Sequence, residues 1–216
     1  MMTPINIASE QVFCLFLLKE SFGMQLKQAE DLFYELVERY NEPHRRYHNL
    51  RHIFSVLECV KSYQDRILDY PILYLSVWFH DVIYDIRSHD NEDQSADYAK
   101  QKLESTSCEK DRIDQCQKLI LSTKKHELLV NNFDNMILLD ADLSILGASR
   151  QQYLEYSSNI RKEYSIIEDK AYQEGRTKVL NSLLNKERLY LTDEMFKTYE
   201  LAARENIAYE LKLLAV

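Results

Sequence analysis

Glycine and proline are scarce: only 3 of each occur in 216 residues. A fold of many tight turns needs residues that accept positive φ or preset it, so hairpin-rich sandwiches and barrels are excluded. With glycine only at Gly23, Gly147 and Gly175, neither G-x-G-x-x-G nor G-x-x-x-x-G-K-[ST] can be written, and both phosphate-cradling loops are absent. The four cysteines (Cys14, Cys59, Cys108, Cys116) form no C-x-x-C and are expected to be reduced thiols. Zinc-protease H-E-x-x-H and di-iron E-x-x-H are missing too, as is any Cys near a His at zinc-ribbon spacing. The start MMTPINIASEQ carries no basic n-region, and the early apolar run Val12 to Leu18 is too short to span a bilayer. The expectation is a cytoplasmic protein with no membrane partner. Positive charge is in deficit, 27 Lys and Arg against 35 Asp and Glu for a net −8. Duplex nucleic acid, which rewards Lys and Arg through counterion release, is a poor match.

What is present is helical periodicity. The expected fold class is all-α, a single compact helical bundle of roughly nine or ten helices. One domain is expected over 1–216, its core about 26–185, with a C-terminal helix about 192–214 packing on it. Leu26, Ala29, Leu32, Phe33, Leu36, Val37 and Tyr40 share one face, and Pro43 follows. Asn49 reads as the N-cap of a helix whose inner face is Ile53, Val56, Leu57 and Val60. Pro71 suits the first turn of PILYLSVWFHDVIYD, which is apolar on nearly all sides and is expected to be a central buried helix. NMILLDADLSILG reads as one helix stopped by Gly147 at C′. Pro4 falls in a loose N-terminus. Gly175 interrupts the helical pattern AYQEGRTKVL, and the expectation is that it lets another helix approach closely and sets Arg176 near a pocket.

Ionisable groups stand where apolar ones belong. His80 and Asp81 follow Leu75, Val77, Trp78 and Phe79 directly. Alone, such a pair reads as a salt bridge or a satisfied core histidine, because a buried carboxylate needs a positive partner. At about 100° per residue, Leu138, Leu139, Ile145 and Leu146 centre on the direction of Asp142, with Asp140 on the opposite side. His52 flanks the apolar stripe of its own helix, and His48 lies a turn earlier. His52, His80, Asp81 and Asp142 thus all look inward. Two imidazoles and two carboxylates suit one divalent cation, Mn, Fe, Co, Ni or Zn, with Mg admissible.

The segments Y-H-N-L-R-H-I, F-H-D-V-I-Y-D, D-N-E-D-Q-S-A, D-A-D-L-S-I-L-G and I-R-K-E-Y resemble the HD-domain superfamily of metal-dependent phosphohydrolases, more closely an uncharacterised bacterial subfamily of it. The likeness spans about residues 30–210. It implies metal ligation by His52, His80, Asp81 and Asp142. It also implies proton handling by Asp85 or Glu92 near the metal ligand Asp81, and a phosphate or second-metal role for His126. Each has a plain alternative. Glu92 suits dipole compensation in a first helical turn, Asp85 a turn, and His126 a surface position beside Lys124 and Lys125. His48 and Arg51 could line the pocket mouth, while His44 and His89 receive no role. Arg45, Arg46, Arg51, Lys124 and Lys125 could supply a local positive field or be solvated surface charges. Where the guanosine-tetraphosphate hydrolase branch has Glu, this chain has Tyr84, which argues against that substrate.

The expected activity is hydrolysis of a nucleotide or other small phosphate ester by a metal-activated water. The alternative is a non-catalytic nucleotide-binding sensor or a helical interaction scaffold. The sequence leaves the oligomeric state open, a homodimer included.

Overall fold

Asp69 and Pro71 open the most deeply buried helix of the chain. In a computed structural model, which describes residues 7–215, the Asp69 carboxylate accepts from the Ile72 amide at 3.2 Å, and Pro71 sits in the first turn of Tyr70–Phe79. Pro4 lies outside the described residues. Among those residues there are ten α-helices, two short 3-10 segments and no strand, so the all-α expectation holds. No helix among them is long and apolar enough to cross a membrane. The chain divides into a first unit ending at Asn135 and a second beginning at Met136.

The first unit carries α1 (Ile7–Phe22), α2 (Leu26–Tyr40), α3 (Leu50–Lys61), α4 (Tyr70–Phe79), α5 (Asn91–Glu104) and α6 (Lys110–Thr123). Every residue of α4 from Ile72 to Phe79 is buried, because α3, α5 and α6 all pack on it. Trp78 is the hub. Its ring meets Phe33 of α2 at 5.7 Å, Tyr40 of α2 at 6.1 Å and Phe54 of α3 at 5.8 Å, all edge-on. Truncating an aromatic so placed costs about 3–5 kcal/mol. Arg112 of α6 grips the same Asp69 that caps α4, at 2.7 and 2.8 Å, fixing where the buried helix begins.

The end of α4 corrects an expectation. The helix was expected to run through His80-Asp81, but it stops at Phe79, with His80 as C-cap and Asp81 in the following turn. Terminal carbonyls of a helix lack intrahelical donors. Here, side chains from outside α4 donate to carbonyls at its end and in the turn beyond it. Tyr40 Oη donates to the Trp78 carbonyl at 2.8 Å, and Arg45 donates to those of Asp81 and Val82 at 2.6 and 3.0 Å.

The second unit is built from α7 (Phe133–Asp142), whose first turn reaches back before Met136, then a 3-10 segment (Leu143–Gly147), α8 (Arg150–Glu163), α9 (Asp169–Leu184) and α10 (Asp193–Leu214). NMILLDADLSILG is therefore not one α-helix: the α form ends at Asp142. α10 packs on the 3-10 segment, α8 and α9. Gly147 is where two backbones come close, since a Cβ there would meet the Tyr199 carbonyl oxygen at 2.8 Å. Gly175 does the opposite of what its place in a helix suggests: a Cβ there meets nothing within 4 Å, so no helix approaches it. Arg176 is directed to Glu210, at 2.9 and 3.1 Å, and to Tyr156 Oη.

Candidate metal centre

His52 lies in the first turn of α3, behind the cap that the sequence suggests: Asn49 Oδ1 accepts from the Arg51 amide at 2.9 Å. Ile53, Val56, Leu57 and Val60 bury the inner face of that helix and carry His52 inward with them. His80 and Asp81 arrive from the end of α4, 28 residues later in the case of His80. The donor atoms converge. His52 Nε2 is 3.2 Å from His80 Nε2, and Asp81 Oδ2 is 3.1 Å from His80 Nε2 and 3.6 Å from His52 Nε2. The two imidazoles retain 3% and 1% of their side-chain exposure and Asp81 16%, so the group is closed behind and open at the carboxylate.

These spacings fit a cation. Ligand atoms about 2.1 Å from an ion, at tetrahedral or adjacent octahedral angles, are separated by roughly 3.0–3.4 Å; the two distances to His80 Nε2 fall in that range, and the His52–Asp81 distance of 3.6 Å is slightly wider. His80 Nδ1 lies 2.8 Å from the Val77 carbonyl oxygen, an acceptor only, so Nδ1 bears a proton and Nε2 is the nitrogen turned to the group, where a metal would take the place of any proton shared with Asp81. Burial pushes the Asp81 carboxyl up, but the facing His80 imidazole, with His48 and His52 around it, holds it below the usual carboxylate range. An ionised carboxylate and a neutral imidazole are the ligand forms metals require. The His52–His80–Asp81 group can therefore hold a metal ion, and its N/N/O donor set suits a borderline dication.

Around this group stands an aromatic wall. The His48 ring is 5.8 Å from that of His52 and 4.5 Å from that of Tyr84, while Tyr47 lies 5.0 Å from both His48 and His52. His48 is thus brought to the edge of the group. His44, given no role on sequence grounds, stacks on Tyr84 and places Nε2 3.1 Å from its carbonyl oxygen.

The other candidate residues are placed as follows. Asp85 is exposed, and its carboxylate accepts from the Arg87 amide at 2.9 Å, the turn role that was its alternative. Glu92 occupies the first turn of α5 beside Asp93, which pairs with Lys124. Arg51 is exposed. His126 ends α6 with φ at +50°. Its amide bonds back to Thr123, and that of Glu127 to Ser122. This is a Schellman termination with histidine in the slot glycine usually fills. Asp142 is half-exposed at the last position of α7, in the second unit.

Two features escaped the sequence. Arg45, grouped there with surface charges, has a fully buried side chain bonded to main-chain carbonyls. Asp140, set on the outward side by helical arithmetic, is fully buried. It accepts from the Leu191 amide, the Thr192 amide and Thr192 Oγ1 at 2.6 to 2.8 Å, and burial raises its pKa. No sequence signal marks Arg45; Thr192 at the head of a helix was the available hint for Asp140. No protein-family model matches this chain, and neither a curated protein nor a solved structure matches it.

Proposed function

We propose that this chain is a metal-dependent phosphohydrolase acting on a nucleotide or another small phosphate ester. The observation that carries the reading is the convergence of His52 Nε2, His80 Nε2 and Asp81 Oδ2 within 4.8 Å of one another, with both histidines buried. Three protein donors leave coordination positions open, as hydrolytic centres require and purely structural centres do not. When bound, a dication supplies Lewis-acid polarisation of a phosphoryl oxygen and acidifies a water. The chain's own part is to keep His80 in one tautomer through Val77 and to keep Asp81 ionised. The resemblance to the HD superfamily favours phosphate esters over other substrates.

A binding-only role is the second reading. The engagement of Asp85 with its own turn favours it, because that carboxylate then has less freedom to move protons. Purified protein, stripped and reloaded separately with Mn, Fe, Co, Ni, Zn or Mg, is to be screened against a panel of phosphate esters alongside His80→Ala and Asp81→Asn. Turnover by the wild type that both variants lose supports the hydrolase. Nucleotide binding without turnover under any metal supports the sensor, and metal content unchanged in both variants overturns the centre itself.

A further inference from the structure

The turn that carries His80 and Asp81 has a structural problem that one side chain solves. α4 ends at Phe79, so the carbonyls of Asp81 and Val82 lie beyond its ladder and take their donors from elsewhere. Arg45 Nη1 donates to the Asp81 carbonyl at 2.6 Å and to the His48 carbonyl at 3.2 Å. Nη2 donates to the Val82 carbonyl at 3.0 Å, and Nε to Glu42 Oε2 at 3.0 Å. The guanidinium lies 5.0 Å from the Tyr40 ring centroid and 5.3 Å from that of Tyr84. None of the side chain is exposed.

A charge buried this completely is tolerated only when its N–H groups are partnered, and these partners are specific. A guanidinium is planar and its donors have fixed directions. By sharing Nη1, it holds the main chain at His48 and the main chain at Asp81 in one geometry. The first segment leads through the Asn49 cap into His52, and the second carries the carboxylate. Arg45 is too enclosed to meet a substrate and donates mainly to main-chain oxygens, so its work is directed at the backbone under the ligands.

We propose that Arg45 is the positioning residue of the His52–His80–Asp81 centre, fixing the separation of the two backbone segments that present its donor atoms. This rests on the metal reading of that group. A ligand atom displaced by about 0.5 Å already leaves productive geometry, so loss of the tie acts on affinity and ligand field rather than on charge.

The test is a Co(II) titration of the wild type, Arg45→Lys and Arg45→Ala, read by visible absorption, with thermal melting of each metal-free protein as the measure of fold. Lysine keeps the charge but cannot bridge two carbonyls with a rigid fork. Arg45→Lys should melt cooperatively yet bind Co(II) about tenfold more weakly, with a changed visible spectrum. Added guanidinium should return part of the lost affinity to Arg45→Ala. Wild-type affinity and spectrum in Arg45→Lys would overturn the inference alone; no Co(II) uptake by the wild type would overturn the metal reading and this inference together. Should Arg45→Lys not fold, the wild type still decides. The Arg45 Nη proton resonances should shift on metal addition in step with those of His80, and their failure to move would count against the proposal.

Discussion

The Val77 carbonyl oxygen stands 2.8 Å behind His80 Nδ1, one turn back along the same helix, and so decides which nitrogen of His80 faces Asp81. The contact is local, yet its effect is on the far side of the ring. Nitrogen NMR of the metal-free protein should show His80 protonated at Nδ1. Adding Zn should shift Nε2 and leave Nδ1 protonated. A proton that stays on Nε2 once Zn is bound would contradict the donor role given to that atom.

The two helical-region glycines should respond to alanine in opposite directions. Gly175→Ala places a methyl group where nothing lies within 4 Å and removes the helix penalty of glycine, so stability rises by about 1 kcal/mol. Gly147→Ala drives a Cβ onto Tyr199 and should cost about 1–3 kcal/mol. Urea unfolding of both variants measures the difference in sign.

Glu210 gives the second unit a pH dependence. Burial raises its carboxyl, but the bonds and charge of Arg176 outweigh that and hold it below the ordinary glutamate value. A lowered native pKa contributes stability that is fully present above the unfolded value of about 4.3. That stability is lost as pH falls through the native value. Glu210→Gln should remove this part of the acid dependence and, by leaving Arg176 uncompensated, cost about 3–5 kcal/mol at neutral pH. Denaturant titrations from neutral to acid pH measure both.

His126 holds a left-handed conformation, φ +50°, that costs a non-glycine residue roughly 1–2 kcal/mol. His126→Gly should therefore stabilise the chain by about 1 kcal/mol in chemical denaturation. Metal affinity should stay unchanged, since His126 is not among the three converging donors. A loss of phosphate-ester turnover in that stabilised variant would assign His126 to substrate.

Local rules made much of this legible. The cap at Asn49, the last helix from about residue 192, the start of α4 at Pro71, and the inner face of α3 all follow from short-range chemistry and appear where expected. His80 and Asp81 stand out because ionisable groups next to Leu75, Val77, Trp78 and Phe79 need a reason to be there, and His52 because it flanks the apolar stripe of its own helix. What failed depended on periodicity continuing unbroken. The single α-helix expected through Leu146 stops at Asp142, and the 3-10 winding that follows advances each residue by about 120° instead of 100°. The HD pair likewise looked helical because nothing in PILYLSVWFHDVIYD announces that Tyr40 and Arg45, 38 and 36 residues from their acceptors, will take the terminal carbonyls.

That last arrangement bears on how such a centre is recognised in other chains. Three of the four acceptors of Arg45 are main-chain oxygens, those of His48, Asp81 and Val82. Main-chain oxygens are the same whatever residue carries them. Residues that touch through their side chains tend to change together across a family, but hydrogen bonds from an arginine to backbone give it no partner residue to change with. The bonds between the Arg45 loop and the His80–Asp81 turn therefore leave no paired signature in aligned sequences, and of the Arg45 contacts only the one with the Tyr84 ring would couple the two through side chains.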